Sequence, residues 1–279
     1  MNYRHLYHAG GFADVVKHAV LALILGRLAE KQAAYCVLDT HAGIGRYDLS
    51  QIAAQKTGEY LNGIARLLTA ERAPDAVRPY LEAVRGLNPG GQLRWYPGSP
   101  AIAAALSRRQ DRLVLVELHD DDVAELRRTL GRDRRVGIHH ADGYAALKSL
   151  LPPKERRGVV LIDPPFEAGN EFETLAASLI AAHARWPGGI YVAWYPIKDP
   201  APVRSFHAAL KSSGMRKVMI VELLVRRADS AGTLNGCGLV LVNPPWQIEK
   251  ALDELLPWIA DRLKQGPGPR GAWHWLVPE

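Results

Sequence analysis

The chain has 279 residues, an ordinary 48% of apolar residue types and a formal net charge of +6, with a pI near 9.3. That length suits one large α/β domain with an insertion, or two smaller ones, and residues 15–28 are too short and interrupted to span a membrane. Two cysteines, Cys36 and Cys237, lie in apolar or Gly-rich runs, which excludes a disulfide framework or cysteine metal site and suits a reduced, cytoplasmic protein, while the basic balance favours an acidic partner, nucleic acid first.

Residues 3–18 crowd three histidines, two tyrosines, an arginine and a lysine into a terminus. A frayed tail needs no such residues, so they point to a role at a site. Residues 13–28 have helical periodicity, with Val16, Val20, Leu23 and Leu28 near one face and Asp14 near the start, where a carboxylate is favoured. His5, His8 and His18 have no cysteine or paired-carboxylate support, so hydrogen-bonded histidines fit better than zinc ligands and no metal is expected. Lys17 reads as a solvated helix charge.

A buried strand over residues 34–39 then ends in Asp39 and runs into Thr40-His41-Ala42-Gly43-Ile44-Gly45. Glycine lets a backbone come close to a ligand. The third glycine of the dinucleotide fingerprint is missing, with Asp48 in its place, which counts against a dehydrogenase. Asp-x-x-x-Gly-x-Gly is similar to the first motif of S-adenosylmethionine-dependent methyltransferases, where the loop wraps the methionine part of the cofactor. His41 can hydrogen-bond the cofactor's amino-acid end or merely satisfy the loop.

Residues 50–97 do not look like sheet. An amphipathic helix over 57–68 and another over 79–87, ended by Pro89, Gly90 and Gly91, form a helical insertion between the first and second core strands, either for packing or to grip substrate. Ser99 reads as the N-cap of a helix over 101–106, with Pro100 in its first turn; a capping serine at a site rim can also touch a carboxylate ligand.

The second core strand ends in Glu117, where a carboxylate can take both hydroxyls of a ribose. The third ends in Asp142-Gly143, and Asp142 can accept an adenine's exocyclic amine. Arg127, Arg128, Arg132, Arg134 and Arg135, with Lys154, Arg156 and Arg157, are either a solvated face or a phosphate-binding rim.

The fourth strand is a continuous apolar run that ends in Asp163-Pro164-Pro165-Phe166. The prolines stiffen the turn and leave carbonyls free to accept hydrogen bonds. Asp163 and the Pro164 carbonyl can each accept one N–H of an amine while Phe166 stacks on its ring. The letters resemble the [Asp/Asn/Ser]-Pro-Pro-[Tyr/Phe/Trp] motif of amino-methyltransferases. Asn243-Pro244-Pro245-Trp246 repeats them, but after the sixth expected strand. Further helices are expected over 172–183, 203–212 and 248–264, a strand over 189–195, a hairpin of strands over 218–226 and 238–243, and a short closing run over 273–277.

Strand ends at Asp39, Glu117, Asp142 and Asp163 share one edge of a parallel sheet, because right-handed crossovers force that. The expected fold is α/β: a Rossmann-like class I S-adenosylmethionine-dependent methyltransferase with a seven-stranded, mostly parallel sheet. Residues 1–49 and 98–279 form the methyltransferase domain, with 1–30 as N-terminal motif and helix; 50–97 form a helical insertion subdomain between strands 1 and 2.

The blocks Tyr3-Arg4-His5, His8-Ala9-Gly10, Ala13-Asp14-Val15, Lys17-His18, residues 38–43, residues 57–61, residues 96–100, residues 161–165 and residues 243–246 occur together in this order. The chain thereby resembles, end to end, the family of bacterial 23S ribosomal RNA adenine-N6 methyltransferases J. The resemblance implies that His18, His41, Ser99, Glu117, Asp142, Gly143 and Asp163 line the S-adenosylmethionine site. It puts Tyr3 at the target-base side with Phe166, and makes Asp163 the catalytic acid in Asp163-Pro164-Pro165-Phe166. It further implies a monomer acting on a single adenine of 23S ribosomal RNA. The family commonly has tyrosine where this chain has Phe166; stacking survives that change and a hydroxyl contact does not. Other readings are a DNA adenine-N6 or protein glutamine methyltransferase, a non-catalytic RNA-binding protein on the same fold, and a role in the nutritional use of external DNA.

Overall fold

The structure is a computed structural model and describes residues 4–229 and 232–279. A 3-10 turn at His5–Tyr7 leads into helix α1 (Phe12–Ala29). This helix is wider in its burial than its sequence period suggests. Val15, Val16, Ala19, Val20, Leu21, Ile24 and Leu25 are all buried, whereas Leu23 is only partly covered. A helix that is apolar on nearly all sides belongs inside a fold.

Strand β1 (Cys36–Asp39) is followed by a two-stranded ribbon, β2 (Arg46–Asp48) paired antiparallel with β3 (Trp95–Pro97). The end of the stretch expected to be free of sheet is therefore a strand. Between the two lie α2 (Ile52–Thr57), a 3-10 segment at Glu59–Asn62, α3 (Ile64–Leu68) and α4 (Arg78–Gly86). The single helix expected over 57–68 is broken at Gly58 and Gly63. At the second break the chain meets the N-terminal segment: the Ile64 N–H donates to the Gly10 carbonyl at 2.9 Å. A Cβ on Gly63 would stand 2.0 Å from that oxygen, so only glycine permits the approach. Next, α5 (Ser99–Leu106) begins earlier than expected. Gly98 occupies the N-cap and Ser99 is the first helical residue, with no side-chain cap.

The remaining elements alternate regularly: β4 (Arg112–Glu117), α6 (Asp120–Leu130), β5 (Val136–His140), α7 (Gly143–Leu150), β6 (Gly158–Ile162), α8 (Glu171–Arg185), β7 (Ile190–Ile197), α9 (Pro200–Ser212), β8 (Val218–Leu224), β9 (Gly236–Val242), α10 (Ile248–Arg262) and β10 (Arg270–Val277). Local chemistry sets several boundaries. Three aspartates, Asp120 to Asp122, open α6, and Arg127 and Arg128 close it, each charge suited to its end of the helix dipole. Asp142 and Asp199 cap α7 and α9 by accepting the N–H of Ala145 and Ala201.

The strands form one sheet in the order β10-β8-β9-β7-β6-β1-β4-β5. Pairing is parallel from β5 through β4, β1 and β6 to β7, then antiparallel through β9 and β8. This is the doubly wound, mostly parallel sheet expected, with one strand more than the seven: the closing run is β10, antiparallel to β8. Its tryptophans Trp273 and Trp275 pack against the core, and it covers what would be an open edge. Two apolar layers cover the sheet. One joins α1, α5, α10 and the insertion residues Ile64, Leu67, Tyr80, Leu81 and Val84; the other joins α7, α8 and α9. Cys36 and Cys237 are buried, free core residues, as expected. No described helix is long and apolar enough to cross a membrane.

The sheet's two edges have different chemistry. Asp39, Glu117, Asp142 and Asp163 all lie at or just beyond the carboxyl ends of β1, β4, β5 and β6. The chain's direction reverses around β1, where open α/β sheets form their ligand crevice. Arg132, Arg134, Arg135, Lys154, Arg156 and Arg157 precede β5 and β6, so they lie at the opposite edge and cannot rim that crevice. Several cations there are committed to structure: Arg135 binds Asp133 and the carbonyls of Ala104 and Ser107, and Arg157 binds those of Leu28 and Ala33. Asn243 also lies there, because β9 runs antiparallel and Val242 pairs with Tyr191 at the start of β7. Its amide donates to the Pro187 and Gly189 carbonyls, so the second Pro-Pro motif is a turn on the wrong side of the sheet.

Candidate active site

At the carboxyl edge a cavity of about 220 Å³ is lined by residues at or just beyond the ends of β1, β4, β5 and β6 and by residues of α1. His18, His41, Ser99, Glu117, Asp142, Gly143 and Asp163 all line it, together with Pro165. Glu117 is held by three backbone donors: Gly43 N–H to Oε2 at 2.8 Å, and Leu118 and His119 N–H to Oε1 at 2.7 and 2.9 Å. A carboxylate has about four lone-pair sites, so Oε2 can still accept a ligand donor. One oxygen of Asp142 caps α7 through the Ala145 N–H at 2.7 Å. Gly143 is required by packing: a Cβ there would lie 2.2 Å from the Thr40 carbonyl oxygen and 2.9 Å from His41 Cε1. His41 is oriented by the Thr40 hydroxyl at 2.8 Å and by an edge contact with Tyr144.

Two buried polar atoms at this end of the sheet have no hydrogen-bond partner among the described residues, Asp39 Oδ2 and His18 Nε2. Burial raises the Asp39 carboxyl to about 6, with the Ser99 hydroxyl nearby opposing the rise and the charge of Asp163 adding to it. Burial also lowers His18 to about 3, so it is neutral at physiological pH, with Nδ1 2.7 Å from the Tyr96 hydroxyl. Tyr80 continues the chain of hydroxyls at 3.0 Å from Tyr96. His5 and His8 have separate partners: Asp14 at 2.9 Å and Glu59 at 2.8 Å.

The residue that the sequence pattern misplaces is Lys17. It is buried, and its ammonium ion-pairs with both Asp14, at 2.9 Å, and Asp163. Burial would lower its affinity for a proton, but the two carboxylates outweigh that and hold it well above the usual ammonium range. Asp14 also accepts the Gly10 N–H at 3.0 Å. The signal is present in the sequence. Asp14, Lys17 and His18 lie three and four residues apart, hence on one face, in a helix otherwise almost wholly apolar. Tyr47, Asp122, Tyr144 and Glu171 also line the cavity and carry no sequence motif; Tyr144 donates to Glu171 at 2.7 Å.

The Asp163-Pro164-Pro165-Phe166 turn stands between two cavities. Asp163 and Pro165 face the first, whereas Phe166 lines a second beside Phe172, Phe206 and Lys198; Glu171 borders both. Phe166 adopts φ 52°, rare for a bulky side chain. Edge contacts with Phe172 (4.8 Å) and Trp194 (5.7 Å) hold its ring. Such outliers cluster at functional sites because surrounding packing must hold them. Tyr3 lies outside the described residues.

Residues 32–277 match the family described as "Ribosomal RNA large subunit methyltransferase D, RlmJ". The chain is 40% identical over its whole length to Ribosomal RNA large subunit methyltransferase J of Escherichia coli K12, covering 100% of that protein. It is also 40% identical to the protein of the same name from Haemophilus influenzae, again covering 100% of both. Among solved structures, protein LPL1258 from Legionella pneumophila superposes with a TM-score of 0.89 at 31% identity, over 96% of this chain and 98% of that one.

Proposed function

The chain belongs to the RlmJ family of ribosomal RNA large subunit methyltransferases, and we propose that it transfers the methyl group of S-adenosylmethionine to the N6 amine of an adenine in 23S ribosomal RNA. The observation that carries this reading is the position of Asp163. It borders a cavity shared with Glu117 and Asp142, and the turn it opens has Phe166 on its far side.

The residues present fit the cofactor. Glu117 Oε2 can take ribose hydroxyls, Asp142 can take the adenine amine, and the unpartnered atoms of Asp39 and His18 suit a polar, cationic amino-acid portion. We assign His18, His41, Ser99, Glu117, Asp142, Gly143 and Asp163 to this site. The bound cofactor supplies an electrophilic sulfonium methyl group.

Adenine N6 is a poor nucleophile because its lone pair is delocalised into the ring. Asp163 and the Pro164 carbonyl accept the two amine hydrogens and turn that lone pair out of the ring. Lys17, itself fixed by Asp14, holds the Asp163 carboxylate in place, so catalysis is mainly positioning and electrostatics. The N6 proton leaves to Asp163 or to solvent. The base must leave its stack to enter; Phe166 then offers a face worth about 1–3 kcal/mol in single-strand binders, and we assign Tyr3 to substrate binding as well. The insertion over 50–97 serves as a subdomain that helps to grip substrate.

The test is methyl transfer from labelled S-adenosylmethionine to unmodified large-subunit ribosomal RNA, followed by digestion to nucleosides. Labelled N6-methyladenosine, absent with Asp163→Ala, is the expected result. Label on DNA or protein alone would overturn the substrate, and label on another nucleoside would overturn the N6 assignment.

A further inference from the structure

The arginines before β5 lie on the wrong edge of the sheet to rim the site, so the question is which cations occupy the right one. Lys198 follows β7 directly, Arg226 and Arg227 follow β8, and Arg270 opens β10 beside Leu224, the last residue of β8. All stand at the edge that carries Asp163. Counting strand steps from β6 at about 4.8 Å each, Lys198 is roughly 5 Å along the sheet, Arg226 and Arg227 roughly 14 Å, and Arg270 roughly 19 Å.

Hydrogen bonds join the loops that carry these residues into one surface. The Asn235 N–H donates to the Ile197 carbonyl and its side chain to that of Lys198, while the Val225 N–H donates to the Asn235 carbonyl. The Gln265 N–H donates to the Val225 carbonyl at 2.8 Å, and the Arg226 guanidinium to the Gln265 side chain at 2.8 Å. The Arg66 guanidinium, from the insertion, donates to the Lys264 carbonyl at 2.8 Å. Arg66 is two residues from Ile64, whose N–H is tied to Gly10 beside the N-terminal motif. Lys198 also lines the cavity next to Phe166.

Lys198, Arg227, Lys264 and Arg270 are exposed. Among the described residues Lys198, Arg227 and Arg270 form no ion pair, and Lys264 has only a 3.6 Å contact with Asp261, whose other oxygen is taken by Arg262. Exposed cations at the mouth of a site that are not consumed by close ion pairs are suited to a polyanion.

We infer that this rim, Lys198, Arg226, Arg227, Lys264 and Arg270 with Arg66 of the insertion, is the phosphate track along which the ribosomal RNA strand runs to and from the target adenine. The inference rests on the reading of ribosomal RNA as substrate and adds its path: away from β6 across β7, β9 and β8, not over the arginines before β5.

The experiment compares Lys198→Glu/Arg227→Glu/Lys264→Glu with a far-edge set, Arg127→Glu/Arg132→Glu/Arg134→Glu. Lys198→Gln/Arg227→Gln/Lys264→Gln serves as the milder variant if charge reversal harms folding. S-adenosylmethionine affinity is the check on the fold. The rim set is expected to raise the KM and Kd for large-subunit ribosomal RNA at least tenfold, with kcat at saturating RNA within twofold of wild type. It should also flatten the dependence of log Kd on log salt by about 0.7 for every single-strand phosphate that the rim no longer neutralises. The far-edge set should leave all of these unchanged. Rim variants that match wild type, or a far-edge set with an equal loss of affinity, would overturn the track while wild-type methylation of the RNA leaves the functional reading intact. No methyl transfer to the RNA by the wild type would overturn the reading and the track together.

Discussion

Lys17 and Asp163, 146 residues apart in sequence, meet as an ion pair, and the same ammonium stands 2.9 Å from Asp14. One cation therefore ties the buried N-terminal helix to the Asp-Pro-Pro-Phe turn. Removing one member of a buried pair leaves uncompensated charge and costs about 3–5 kcal/mol. Lys17→Met keeps the length of the side chain and leaves two carboxylates facing each other. The expected outcome is a lower Tm and a kcat for methyl transfer reduced more than tenfold. The double variant Lys17→Met/Asp163→Asn should recover part of the stability and none of the activity. A double-mutant cycle measures that coupling, and additive stability effects would show that the pair does not tie the two segments.

Asp14 makes a pH prediction. Burial alone would raise its carboxyl, but the charges of His5 and Lys17 outweigh that and hold it well below the usual carboxylate range. The unfolded value is about 3.9. A folded value below the unfolded one contributes stability that is fully present above the unfolded value and is lost as pH falls through the folded value. Asp14→Asn lacks this contribution at every pH. The Tm gap between wild type and Asp14→Asn should thus be wide at about pH 6–7 and narrow steadily below about pH 4. Thermal melts from neutral to acid pH measure it; a gap constant across that range would contradict the assignment of the network.

The alternation of apolar strands with helices makes the sheet legible, and four strand-end acids make the cavity legible, because both depend on period and order along the chain. Lys17 is not legible by the same means. A lysine on a helix is normally solvated, and only the apolar surroundings of α1, together with partners 3 and 146 residues away, reverse that expectation. The arginines before β5 look like a rim because charge composition does not record which edge of a sheet a residue occupies. Strand direction does, and it sends them away from the site. The break at Gly63 is hidden for a related reason: its cause is the Gly10 backbone, far away in sequence. Ser99 has a sufficient local role as a cap, yet Gly98 takes that position and Ser99 lines the cavity instead.

Asp39 should make cofactor binding depend on protons. Burial raises its carboxyl to about 6, above the unfolded value of about 3.9. Its contribution to stability is therefore full below about pH 4 and lost as pH rises through about 6. A cationic ligand bound beside it reverses part of that rise. Binding of S-adenosylmethionine at about pH 6 should then release up to about half a proton, and binding at about pH 8 essentially none. Calorimetry in buffers of different ionisation enthalpy reads this directly. S-adenosylhomocysteine, which lacks the sulfonium charge, should release less at the lower pH, and Asp39→Asn should abolish the difference. Equal proton release by the two ligands would mean that Asp39 does not sense the sulfonium.

The contact between Gly63 and Gly10 brings the backbones of the insertion and the N-terminal segment together, beside the His8–Glu59 pair. A Cβ at position 63 would stand 2.0 Å from the Gly10 carbonyl oxygen and 2.9 Å from Gly11 Cα, and neither can swing aside as a side chain would. Gly63→Ala must therefore displace the segment that delivers His5 to the cavity and Gly10 to Asp14. Forced overpacking of this kind costs about 1–3 kcal/mol. The expected outcome is a lower Tm together with a higher KM for S-adenosylmethionine. Gly86→Ala is the comparison, because a Cβ at the end of α4 meets nothing within 4 Å, and alanine there should hold or slightly raise the Tm by restricting the unfolded chain. If Gly63→Ala lowers the Tm without changing the KM, the insertion supports the fold and the N-terminal segment reaches the cavity without it. If both change, the insertion and the site are one mechanical unit, coupled through this backbone contact.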